Sequence, residues 1–375
     1  MVDGLDLVIE ALTRDCGHFR RWRAPRWSRL LQQARGTGLL GRVGERLRRL
    51  WLAEGLTPPW PEAFAAHVAS ADRVIDAQRA EVERELGHVA RALEGLGAPV
   101  IALKGAAYVA AALPPGQARV FSDVDILVPK HALAEAESRL MLHGWLGSHH
   151  NAYDQRYYRE WMHELPPMQH ARRGTTLDVH HNILPETARL KPQGHLLVAS
   201  AVPAPAHPGW HVLSPTDMVL HSMTHLFMNE ETSHALRDLS DLDLLLRHFG
   251  REDAFWTALL ERAAALDLRR PLFYGLTQTA RVLGTPVPPD VTRHASAGGP
   301  ALPVRPVMQG LWRRVLRSAH PSAQLPGAGA ARFALYVRGH WLRMPPGLLA
   351  RHLTVKALRL HERQPGGPAS PPTNG

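Results

Sequence analysis

The alternating run Asp123-Val124-Asp125-Ile126-Leu127-Val128 sets the strongest constraint on what this chain can fold into. On an extended backbone successive side chains point to opposite faces. Asp123 and Asp125 therefore share one side, while Val124, Ile126 and Val128 share the other and face a core. Two carboxylates side by side on one face repel each other unless a cation lies between them. Oxygen donors of this kind favour magnesium or manganese. Upstream, Val100-Ile101-Ala102-Leu103 is short and apolar enough to be a buried strand. Lys104-Gly105 and an Ala-rich helical stretch carry the chain from it to a break at Pro114-Pro115-Gly116.

A second alternating run spans 175–181, with Asp178 and His180 on one face and Leu177 and Val179 on the other. Arg172-Arg173-Gly174 makes a hairpin with a preceding strand at 164–170 plausible, and Pro166-Pro167 puts that strand at a sheet edge. If the two alternating runs are neighbours in one sheet, Asp178 joins Asp123 and Asp125 as a three-acid metal set. Such a set is what phosphoryl chemistry on a nucleotide needs. Lys104 and Arg119 are candidates for neutralising phosphates, Ser122 for donating to a phosphate oxygen, and Gly105 for letting the backbone approach a triphosphate. His180 orients a carboxylate, touches substrate, or is a satisfied core histidine. His221 and His225 have the i, i+4 spacing of a metal pair, but without a third ligand they read as packing residues.

The remaining chain reads mostly as helix. Residues 1–95 form an N-terminal helical region, 96–185 the sheet-bearing core, 186–290 a helical region packing on it, 291–362 C-terminal helices and 363–375 a disordered tail. A long amphipathic helix spans 62–95, with Val74, Ile75, Val82, Leu86, Val89, Ala92 and Leu93 near one stripe, and Gly95-Leu96-Gly97 ends it. Residues 148–163 are an irregular connection or a loop over a site, 203–210 a Pro-rich connection and 284–306 a linker or long loop. Ser214-Pro215 starts a helix. The formal charge is +10, and 40 of the 44 basic residues are arginine. Such a surface attracts polyanions, although the arginines at 20, 21, 23, 26, 46, 48 and 49 fit solvated helix faces better. The single cysteine, Cys16, excludes an intramolecular disulfide. With an acidic N-terminus and no apolar run of transmembrane length, the expected location is the cytoplasm.

These motifs resemble those of the DNA-polymerase-β-type nucleotidyltransferases, and more closely the bacterial nucleotidyltransferase family 5. The resemblance rests on Leu103-Lys104-Gly105, Arg119, Asp123-Val124-Asp125-Ile126-Leu127, Asp178-Val179-His180 and a His-containing helix at His221 or His225. It covers about residues 20–290. Lys104-Gly105-Ala106 stands where the superfamily has Gly-Ser, and seventeen residues separate Gly105 from Asp123. The resemblance implies an α+β fold, a small mixed sheet flanked by helices. It also implies a magnesium- or manganese-dependent enzyme that moves a nucleoside monophosphate, AMP first, from an NTP to a hydroxyl of a small molecule, RNA or protein. The alternatives are a D-x-D glycosyltransferase holding manganese on a nucleotide-sugar, and a non-catalytic nucleotide- or RNA-binding protein on the same fold.

Overall fold

The computed structural model describes residues 5–147, 158, 161–345 and 347. The expected helix over 347–362, the tail beyond it and most of the 148–163 connection lie outside the described residues. The architecture is α+β. Seven short strands form one mixed sheet: β1 (Ile101–Leu103), β2 (Val124–Leu127), β3 (Trp145–Gly147), β4 (Met168–His170), β5 (Thr176–His180), β6 (Val202–Pro203) and β7 (His211–Val212). Their order is β3-β4-β5-β2-β1-β7-β6. The central pairs are β1 with β2, antiparallel, and β2 with β5, parallel.

The sheet departs from the sequence reading in two places. The run at 164–170 is not an edge strand. Only Met168–His170 pairs as a strand, and it lies between β3 and β5. Pro166 and Pro167 precede the ladder, where no backbone donor is demanded of them. The edge is β3, which follows the turn at Gly144, a residue with φ 95°. The Pro-rich connection at 203–210 is the loop of a small hairpin, β6 with β7, and β7 extends the sheet by pairing parallel with β1.

Helices cover the sheet and continue beyond it. Glu62–Ala92 is a single 31-residue helix entered after Pro61. It buries Ile75, Val82, Leu86 and Val89, while Val74, expected on the same stripe, is 51% exposed. Gly95 and Gly97, both at positive φ, turn the chain from this helix into β1. Ser214 caps Pro215–Met228 by accepting from the Asp217 backbone N–H. The segment expected as a linker at 284–306 contains the helix Pro289–Ala295, because Val291 and Ala295 have apolar surface to bury in the main core. Prolines open this helix and the following one, Arg305–Val315, where a missing N–H costs nothing.

Two apolar clusters result. The larger runs from Val82 through the sheet to Leu335. The smaller lies among the N-terminal helices, around Trp27, Leu30, Leu47 and Phe64, and takes in Leu236. Between them lies a buried polar joint. Arg42 pairs with Asp241 at 2.6 Å and donates to the carbonyl of Pro115 at 3.0 Å, while Arg119 pairs with the other oxygen of Asp241. Most N-terminal arginines read as solvated faces carry surface ion pairs: Arg20 with Glu54, Arg26 with Glu10, Arg48 with Asp72 and Arg49 with Glu45. No described helix is long and apolar enough to cross a membrane.

Candidate active site

Strand register assembles the site. β2 and β5 run parallel with Asp125 opposite Asp178, so the two side chains emerge on the same face. Asp123 stands one residue before β2. One carboxylate oxygen from each of Asp123, Asp125 and Asp178 lies within 4.8 Å of the other two. At that separation each pair of charges repels by about 3 kcal/mol with an effective dielectric near 20. The cluster therefore needs positive charge.

Part of that charge comes from the neighbouring strand. β1 pairs with β2 so that Leu103 faces Asp125. Lys104 then turns the chain into the helix Lys104–Ala110 with φ 45°, a left-handed conformation that a side-chain-bearing residue rarely adopts. Its ammonium reaches Asp125 Oδ1 at 2.7 Å. His180, two residues past Asp178 on β5, places Nε2 3.1 Å from the same oxygen. Burial pulls the Asp125 carboxyl upward, but Lys104 and His180 outweigh it and hold the group well below the usual carboxylate range. Burial works against the Lys104 ammonium too, and Asp125 again outweighs it, so Lys104 stays charged.

Asp178 has only the charge of His180 to help it, and no hydrogen bond from either cation. Its Oδ1 is buried without a hydrogen-bond partner. Burial, and then the charge of Asp125, push its carboxyl up to about 7. An orphaned buried carboxylate oxygen facing two further acids fits a bound divalent cation. Three oxygen donors suit a hard ion such as magnesium or manganese. Ser122 donates to Asp123 Oδ1 at 2.8 Å. Beside them opens a cavity of about 220 Å³, lined in part by Gln78, Glu81, Ser122, Asp123, Arg173 and Thr175. A larger cavity of about 720 Å³ lies past the C-terminal ends of β2 and β5, around Lys130, His181 and Lys191, and is lined by none of the three acids. The larger cavity gathers lysines, histidines and Glu186 but contains no potential metal set among the described residues.

The other residues singled out in the sequence fall in different places. Arg119 is engaged by a different acid, although the charge of Asp123 still reaches it. It pairs with Asp241 and lies over the Tyr108 ring, 5.7 Å from its centroid. No ion pair or hydrogen bond joins Arg119 to the three acids among the described residues. Gly105 is buried, and the Cβ it lacks would lie 3.0 Å from the Phe121 ring, so its smallness serves close packing of helix and loop. His221 and His225 lie on Pro215–Met228, and burial, followed by the charge of Lys104, holds both imidazoles well below their ordinary range. Neither belongs to a potential metal set among the described residues. Arg237 pairs with Asp238 at 3.2 Å. The sequence reading missed Glu164, whose Oε2 lies 3.1 Å from His180 Nδ1. Its only signal was the acid at the head of a strand-like run.

This arrangement, a mixed sheet with paired acids on adjacent strands and a lysine at the strand-to-helix corner, is of the nucleotidyltransferase kind. The family model described as uncharacterised nucleotidyltransferase matches residues 23–284, and the chain belongs to that family. Among curated proteins no relative matches the chain.

Proposed function

We propose that the protein transfers a nucleoside monophosphate, AMP in the first instance, from an NTP to a hydroxyl of an acceptor molecule. The observation that carries this reading is the convergence of Asp123, Asp125 and Asp178 across adjacent strands, with one acid orphaned, in a chain of a nucleotidyltransferase family. In the reaction the acceptor oxygen bonds to the α-phosphorus, the α–β bridging P–O bond breaks and pyrophosphate leaves. Asp123, Asp125 and Asp178 would hold magnesium or manganese, which when bound neutralises phosphate charge and polarises the phosphoryl group.

The chain's own groups then have defined tasks. Lys104 supplies a fixed positive charge beside the triphosphate, and the Lys104-Gly105 corner carries the backbone past it. Ser122 gives its single hydroxyl proton to Asp123 in the absence of nucleotide, and can turn it to a phosphate oxygen once a cation takes over Asp123. Asp178, the acid whose Oδ1 has no hydrogen-bond partner, would complete the metal's oxygen shell and help to take the acceptor's hydroxyl proton. His180 keeps Asp125 oriented. Arg119 contributes at longer range, through the Asp241 joint.

The test is label transfer from each α-labelled NTP, with magnesium, into purified tRNA, small-molecule pools and cell extract. Transfer that requires metal and is lost by at least about a hundredfold in Asp123→Asn is expected for a residue of the reacting centre. Equal transfer by Asp123→Asn would show that the site is wrongly assigned. Stabilisation by a nucleotide-sugar but by no NTP would favour glycosyl transfer instead.

A further inference from the structure

Beside the three acids, and hydrogen-bonded to them through His180, lies a second set of potential metal-binding groups. His163, Glu164 and His180 each offer one ligand atom, and these atoms lie within 4.8 Å of one another. Backbone pairing fixes the three. Glu164 forms an antiparallel bridge with His180, the His181 N–H donates to the His163 carbonyl at 2.8 Å, and the Leu165 N–H donates to the Val179 carbonyl at 2.8 Å. Glu164 Oε2 is 3.1 Å from His180 Nδ1 and 3.9 Å from His163 Nε2. The two imidazole rings sit 5.3 Å apart, centre to centre.

Hydrogen-bond inventory makes this arrangement incomplete as it stands. A neutral imidazole has one N–H. If His180 donates it from Nε2 to Asp125, then Nδ1 presents a lone pair to a carboxylate oxygen 3.1 Å away. Two facing lone pairs require a cation between them, either a second proton on His180 or a metal ion. Close by, His163 is only 9% exposed, and its Nδ1 is buried with no hydrogen-bond partner.

We propose that His163, Glu164 and His180 form a second cation site that takes a divalent transition ion of the zinc or cobalt class. Two imidazoles and one carboxylate select such ions over magnesium, which prefers oxygen donors only. The Asp125–His180 hydrogen bond is then the carboxylate–histidine contact that commonly orients a metal-binding imidazole, here shared with the three-acid cluster. The inference goes beyond nucleotidyl transfer and does not depend on it, since the ion is bound without nucleotide.

The test uses the full-length, metal-stripped protein and Co²⁺ alone. One equivalent should bind tightly, with visible d–d bands, apart from any weaker equivalent at the three acids. His163→Gln and Glu164→Gln should each weaken binding by at least about tenfold, while Asp178→Asn leaves it within about twofold. Circular dichroism checks that the variants fold. X-ray absorption at the cobalt edge of the unmutated protein should show scattering from two imidazoles, which needs no variant. Unchanged affinity in folded His163→Gln overturns the proposal, as does loss of binding in Asp178→Asn alone or cobalt scattering from oxygen donors only. Failure of Co²⁺ to bind at millimolar concentration overturns it as well, and identifies a proton as the cation between His180 and Glu164.

Discussion

Replacing Asp178 by asparagine should stabilise the metal-free protein while abolishing its response to manganese, the ion suited to the three acids. The reasoning starts from the carboxyl of Asp178, which burial and Asp125 lift from an ordinary value of 3.8 to about 7. Below about pH 4 this group is protonated in both folded and unfolded chains and contributes no pH dependence. Between about pH 4 and pH 7 the folded state keeps a proton that the unfolded state has released, so stability falls as pH rises. Above about pH 7 the full cost is present. Three pH units correspond to an upper limit of about 4 kcal/mol. The side chain is partly solvent-exposed, and discounting for screening leaves about 1–2 kcal/mol. Asparagine keeps the shape and removes the charge. For one cooperative unit of this length, with about 2.1 cal/mol/K of unfolding entropy per residue, that is a rise of about 1–3 °C in Tm. The assay is differential scanning calorimetry in chelator at about pH 5 and pH 8, repeated with Mn²⁺. Asp178→Asn should gain more at pH 8 than at pH 5, and Mn²⁺ should raise Tm in the unmutated protein only. A variant less stable than the parent at pH 8 in chelator, or equally stabilised by Mn²⁺, would refute the argument that Asp178 is an uncompensated charge awaiting a cation.

Two further substitutions test the frame around the site. Arg42→Met removes one of the two guanidiniums on buried Asp241 and should cost about 3–5 kcal/mol in chemical denaturation, because the carboxylate is left in a dry environment with Arg119 alone; a loss below about 1 kcal/mol would mean that Arg119 suffices. Ser214→Ala removes the side-chain acceptor at the start of Pro215–Met228 and should cost about 1 kcal/mol by the same measurement, with no change in metal affinity.

How far the sequence could be read depended on the range of the interaction. The alternation at 123–128 and 175–181 was legible because a strand repeats every two residues, and it put Asp125 and Asp178 each on a definable face. Their adjacency was an inference, and the parallel pairing of β2 with β5 supplies it. Strands β3, β6 and β7 were not legible, since two or three residues give no period to detect and prolines lie in or beside β6. The partner of Arg119 was beyond reach: Asp241 lies 122 residues away, and nothing local marks the two as a pair. Arg119 read as a candidate for neutralising phosphate because a guanidinium suits that charge. In the fold it is buried, and a buried guanidinium requires a carboxylate, here Asp241. Glu164 escaped notice for a similar reason. Its value lies in standing across the sheet from His180, a relation that the hairpin creates and the sequence does not display.

The position of the Arg42–Asp241–Arg119 joint bears on how the site keeps its shape. Asp123 precedes β2 and Asp125 lies within it, and the segment leading into that strand carries Arg119, four residues before Asp123. Arg119 fixes this lead-in to Asp241 on the helix Ala235–Phe249, and Arg42 fixes the same carboxylate to the N-terminal helices and to the Pro115 carbonyl. At the other end of the lead-in, the Phe121 backbone N–H donates to Gln78 on the long helix at 3.1 Å. The loop before the acids is thus held from three directions by groups outside the sheet. Mutual repulsion among three carboxylates would otherwise push Asp123, the one acid outside the strand ladders, away from the other two. A brace of charged, buried contacts costs desolvation that an apolar contact would avoid. In return its geometry is directional, and it holds Asp123 beside Asp125 and Asp178.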